Sequence, residues 1–68
     1  MATQTKINTG DALRHLRQRA GLTLQQVAEG AKTSTSYLSK VERGQLVPTD
    51  DYVAQIAAYA AGQLAKAA

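Results

Sequence analysis

The residues with most chemistry to offer lie close together, between positions 34 and 44. Ser36, Lys40 and Arg43 stand at i, i+4 and i+7, a spacing that puts three side chains on one face of an α-helix. Such a face presents a hydroxyl, an ammonium and a guanidinium. These donors suit phosphate oxygens and the acceptor-rich edges of bases, although a charged stripe is also what an ordinary solvated helix face carries. Catalysis has far less to work with. The chain has one histidine, His15, and no cysteine, and its carboxylates are Asp11, Glu29, Glu42, Asp50 and Asp51. Asp50 and Asp51 are adjacent, which splays them about 100° apart on a helix. No histidine with a positioning acid accompanies the serines, and neither metal-ligand spacing nor a phosphate-cradling glycine loop is present. No enzymatic activity, metal, cofactor or small-molecule ligand is expected.

The elements that must position this stripe can be read around it. Leu24, Val27, Ala28 and Ala31 recur at i, i+3, i+4 and i+7, one apolar face of a helix. Thr23 precedes that helix, and Gln26 three residues later completes a capping-box pattern. The period breaks at Ala31-Lys32-Thr33. Ser34 restarts it as an expected N-cap, Leu38 and Val41 form the next apolar stripe, and Gly44 stands where a helix-ending glycine belongs. The stretch from Leu22 to Gly44 therefore reads as two short helices joined by a tight turn. Ser36, Lys40 and Arg43 face away from Leu38 and Val41.

The flanking sequence supplies the rest of a small helical core. Residues 1–8 are polar and aperiodic and are expected to form a flexible N-terminal arm with Lys6 as its basic residue. A first helix should start near Asn8 or Thr9, with Asp11 near its positive end. It should bury Leu13, Leu16 and Ala20, with Ala12 beside them, and end at Gly21. His15 reads as an ordinary surface histidine. After Gly44, Pro48 forbids a continuous helix. Thr49 should cap a last helix that carries Asp50 and Asp51 in its first turn and buries Val53, Ile56, Ala57 and Ala60, with Gly62 ending it. Residues 63–68 are expected as a short C-terminal turn or tail. Leu46 and Val47 are expected to tuck into the core, with a dimer contact as the sharper alternative.

Size and charge bound what this can be. The 68 residues make one domain with a small core, and without cysteine helix packing alone must hold it. Residues 1–44 hold seven Lys/Arg against three Asp/Glu, a balance of +4, whereas residues 45–68 hold one against two, a balance of −1. A basic first part fits an anionic partner. No apolar run is long enough for a membrane span and the N-terminus lacks a signal-peptide layout, so no membrane role and a cytoplasmic location are expected.

The segment Ser34-Thr35-Ser36-Tyr37-Leu38-Ser39-Lys40-Val41-Glu42-Arg43-Gly44 resembles the helix-turn-helix of the phage repressor and Cro type, the XRE family. Gly21 to Ala28, reading Gly-Leu-Thr-Leu-Gln-Gln-Val-Ala, is similar to the family's preceding segment. The resemblance extends, less tightly, from about Thr9 to Ala60. It implies an all-α fold: a compact four- to five-helix bundle with a central helix-turn-helix over residues 9–62. The function it implies is a sequence-specific double-stranded DNA-binding transcriptional regulator of phage or bacterial type. Repression is the expected role, with a homodimer on DNA and the helix from Ser34 to Arg43 in the major groove. Thr35, Ser36, Ser39 and Lys40 are then the expected base contacts, and Gln25, Gln26, Tyr37 and Arg43 the expected phosphate contacts. It also implies an ion pair between Arg17 and Glu42, which the residues alone would leave as two independent surface charges. The alternative reading is a protein-interaction module, antitoxin-like or an anti-regulator, that uses the helix-turn-helix as a scaffold.

Three positions depart from the family pattern. Lys32 stands where the family usually has glycine, because the backbone there tends to positive φ. Thr33 replaces a small apolar residue. Leu24 replaces a glutamine that often touches a phosphate, a contact that Gln25 or Gln26 would have to supply.

Overall fold

The computed structural model describes residues 9–67, which form four helices: α1 Thr9–Arg19, α2 Leu24–Gly30, α3 Thr35–Glu42 and α4 Asp50–Ala67. The arm expected over residues 1–8, the capping role considered for Asn8, and Ala68 lie outside the described residues.

Local signals set most of the helix ends. Thr23 accepts the Gln26 backbone N–H at 3.0 Å, and the Gln26 side chain accepts the Thr23 N–H at 2.8 Å, a complete capping box. Ser34 Oγ accepts from the Tyr37 N–H at 2.9 Å and Thr49 Oγ1 from the Tyr52 N–H at 3.1 Å. The first three helices end in the same way. At each, one N–H reaches back five residues to a carbonyl: Leu22 to Arg17, Thr33 to Ala28, and Gln45 to Lys40. The residue before it takes a left-handed backbone, at Gly21 (φ 72°), Lys32 (φ 61°) and Gly44 (φ 79°). This is the Schellman arrangement, in which glycine is the usual occupant of the left-handed position. Lys32 adopts the positive φ that the family pattern implies, without the glycine.

Leu13, Val27, Ala28, Ala31, Leu38, Val41 and Ile56 form the buried core, with Leu22, Leu24, Tyr52, Val53, Ala57 and Tyr59 packed against it. Each helix therefore contributes to one centre. On α1 the buried stripe is displaced from the expected one: Gly10 and Leu13 are buried, Leu16 and Ala20 are half-buried, and Ala12 is exposed. The reason is a close backbone approach. A Cβ on Gly10 would run into the carbonyl oxygen of Val41. Glycine thus lets α1 lie directly on the end of α3, rotating Gly10, Leu13 and Arg17 inward.

Two further expectations need correction. Gly62 does not end α4, which continues to Ala67. Glycine costs only about 1 kcal/mol inside a helix, and the alanines, Gln63, Leu64 and Lys66 around it are good helix formers. The Leu46–Val47 loop does not tuck into the core. Val47 is 94% exposed and Leu46 36%. The turn at Gly44 and the ring of Pro48 fix the two ends of a loop too short to fold back beneath α3.

Candidate nucleic-acid interface

The helix-turn-helix is held rigidly from behind. Arg17 reaches from α1 to Glu42 in a two-pronged contact, Nε to Oε2 and Nη2 to Oε1, both at 2.8 Å. Arg17 Nη1 donates a third bond, at 3.0 Å, to the Leu22 carbonyl just ahead of α2. The hydrogen bond to Glu42 pushes the Arg17 pKa further up; partial desolvation opposes this and the nearby carboxylate charge adds to it. The Arg17 guanidinium therefore stays charged at every pH at which the domain would be used. Glu42 is 3% exposed, so its charge is spent on Arg17 and turned away from the outer face of α3.

That outer face is a continuous run of donors. At about 100° per residue, Ser36, Lys40 and Arg43 fall within about 60° of one another, and all three are exposed. Ser39 sits beside them, half-buried; its carbonyl accepts the Arg43 N–H at 3.0 Å and Arg43 Nε at 3.4 Å. Thr35 and Tyr37 lie on the two flanks, both exposed. No carboxylate of α3 shares this side, since its single acid is Glu42.

On α2, Gln25 and Gln26 are exposed, and each is partly engaged. Gln25 Nε2 donates to Glu29 Oε2 at 3.1 Å. The Gln26 oxygen closes the capping box, which leaves its amide hydrogens as outward donors. Leu24 packs against the core and is lost as a polar contact. Among the described residues no His, Cys, Asp and Glu side chains cluster closely enough to hold a metal ion. No helix there is long and apolar enough to cross a membrane.

One set of contacts behind this surface has no counterpart in the sequence reading. The Tyr52 ring, on the first turn of α4, lies edge-on to Tyr37 with centroids 4.9 Å apart and planes at 76°. Its hydroxyl accepts from Thr33 Oγ1 at 3.1 Å, and Gln55 one turn later donates to the Ala31 carbonyl. Burial raises the Tyr52 pKa, partly offset by the Thr33 bond. Thr33 and Tyr37 precede Tyr52 by 19 and 15 positions, so no local pattern could announce these pairings. The one signal was Thr33 itself, a hydroxyl where an apolar residue was expected.

Comparison with known proteins agrees with this architecture. The transcriptional regulator ClgR, from two strains of Mycobacterium tuberculosis, is 38% identical over 56 residues, covering 82% of this chain and 50% of the regulator. The chain thus spans about half the length of the curated relatives it matches. No solved structure matches. The sequence model of the helix-turn-helix domain family matches residues 9–67. That match starts at the first residue of α1 and ends at the last of α4, taking in the whole four-helix unit as well as the two-helix motif at its centre, and the chain belongs to the helix-turn-helix domain family.

Proposed function

We propose that this chain is a sequence-specific double-stranded DNA-binding regulator of transcription, a repressor that inserts α3 into the major groove. The observation that carries the reading is the outer face of α3, where hydroxyls and two cations stand with no carboxylate of α3 among them because Glu42 is buried against Arg17. Lys40 is suited to guanine O6 and N7. Ser36 and Ser39 are adaptable base contacts, and Thr35 adds a methyl that can meet a thymine methyl. Arg43, Tyr37, Gln25 and Gln26 supply phosphate contacts that fix register without reading sequence. The protein acts in the cytoplasm as a homodimer on DNA, since one module this small buries too little surface for useful specificity. The name of the ClgR relatives supports the regulatory role.

Selection from random duplexes at two salt concentrations tests this reading. A single enriched motif is expected, with affinity falling steeply as salt rises. Lys40→Ala should cost about 1–3 kcal/mol on that motif alone, and Arg43→Ala should weaken all duplexes alike and reduce the salt slope by about one unit. Parent-like binding by both variants would overturn the assignment of this face. The scaffold reading, an antitoxin-like or anti-regulator module, draws on Val47, which is 94% exposed; it predicts no enriched duplex at either salt.

A further inference from the structure

The first turn of α4 braces the side of the helix-turn-helix at two points through one residue. Tyr52 takes a hydrogen bond from Thr33, the residue just before the Ser34 cap, and stacks edge-on against Tyr37, one turn into α3. Tyr52 is itself anchored. It is half-buried, and its backbone N–H donates to Thr49 Oγ1 at 3.1 Å. The Tyr37 backbone is held in the same way, its N–H donating to Ser34 Oγ at 2.9 Å, but its ring reaches the outer flank of the helix. At 37% exposed on the flank of α3, its ring would sample several rotamers if the T-shaped contact with Tyr52 did not select one. Holding a contacting side chain in its bound orientation removes the ordering cost from the binding step.

We propose that Tyr52 is a positioning residue for duplex binding: it touches no DNA, but holds the Tyr37 ring so that its hydroxyl meets a backbone phosphate. The proposal rests on the DNA-binding reading above and adds a residue to it that lies outside the helix-turn-helix.

A double-mutant cycle on the selected duplex tests it. Tyr37→Phe should weaken binding about tenfold, as expected for one hydrogen bond to a charged oxygen. The loss should be the same on every duplex, with the salt slope unchanged because no cation is removed. Tyr52→Leu should produce a similar loss when Tyr37 is present and almost none in the Tyr37→Phe background. Tyr52→Phe, which keeps the ring, should recover most of that loss. The Tyr37 ring-proton shifts in the free protein, set partly by the neighbouring ring, should move in Tyr52→Leu and stay near the parent values in Tyr52→Phe. Should Tyr52→Leu melt below the assay temperature, Tyr52→Met takes its place. An equal loss in both backgrounds, or unmoved Tyr37 shifts, would overturn the proposal and leave the DNA-binding reading standing. A parent protein that binds no duplex at any salt overturns both.

Discussion

Lys32 is the one non-glycine residue with positive φ among the described residues. A side chain in that region costs about 1–2 kcal/mol, whereas Gly21 and Gly44 do the same job at the other helix ends without a Cβ. The flanking bonds from Gln55 to Ala31 and from Thr33 to Tyr52 hold the turn in place despite this cost. Lys32→Gly should therefore raise the melting temperature by a few degrees, the gain being reduced by the larger unfolded-state entropy of glycine. A lower melting temperature would show that the lysine side chain stabilises the turn by more than its backbone costs. Tyr52 gives a second residue-scale expectation. Its pKa is raised by burial, so the folded state holds the phenolic proton more tightly than the unfolded chain does. That contribution is complete below about pH 10 and is lost as the pH rises through the higher folded value. Melting temperatures measured from pH 9 to pH 11 should fall in the parent and fall less in Tyr52→Phe.

Between elements, the Arg17–Glu42 pair is a polar tie at the edge of the core. It joins α1 to the last residue of α3, and through the Leu22 carbonyl it also reaches the segment leading into α2. The Gly10 contact with the Val41 carbonyl lies two turns away on the same helix pair, so the polar contact and the close backbone approach fix one geometry together. Removing one partner of a buried pair costs about 3–5 kcal/mol, comparable with the roughly 3–5 kcal/mol that a core this small supplies in total. Glu42→Ala should leave the domain largely unfolded near 25 °C and abolish DNA binding without altering the proposed DNA face. The double variant Arg17→Met with Glu42→Leu should recover much of the stability, because packed apolar groups often replace such a pair. Thermal melts of the three proteins decide this; a Glu42→Ala midpoint within a few degrees of the parent would mean that the pair contributes little.

For the molecule as a whole, the basic residues concentrate in the part that contains the helix-turn-helix, and the exposed aliphatic side chains Leu46, Val47 and Leu64 lie outside it, Tyr37 being the exposed large hydrophobic residue on α3. A homodimer reading two half-sites needs α3 repeated about one helical turn away, about 34 Å along the duplex. Footprinting on the selected site should show two protected half-sites with that spacing and two chains per duplex. A single protected half-site occupied by one chain would rule the dimer out.

The sequence by itself determined the local features of this protein. Thr23, Ser34 and Thr49 cap helices because a short side-chain oxygen competes well for an orphan N–H two or three residues on. Gly21 and Gly44 end helices because they tolerate positive φ, and the period of Val27, Ala28, Leu38 and Val41 decides which faces go inward. The outer stripe of Ser36, Lys40 and Arg43 follows from the same periodicity. Tertiary structure decided whatever depends on how closely two helices approach. Ala12 looked like core until Gly10 allowed α1 to lie on the backbone of α3. Gly62 is a local matter instead: a single glycine does not stop a helix whose neighbours all favour continuing it. Leu46 and Val47 looked like core by composition, and the two fixed ends of their loop hold them outside. The bracing of Thr33 and Tyr37 by Tyr52 arises only when the first turn of α4 meets the turn before α3, and no sequence period records a contact between segments so far apart in the chain.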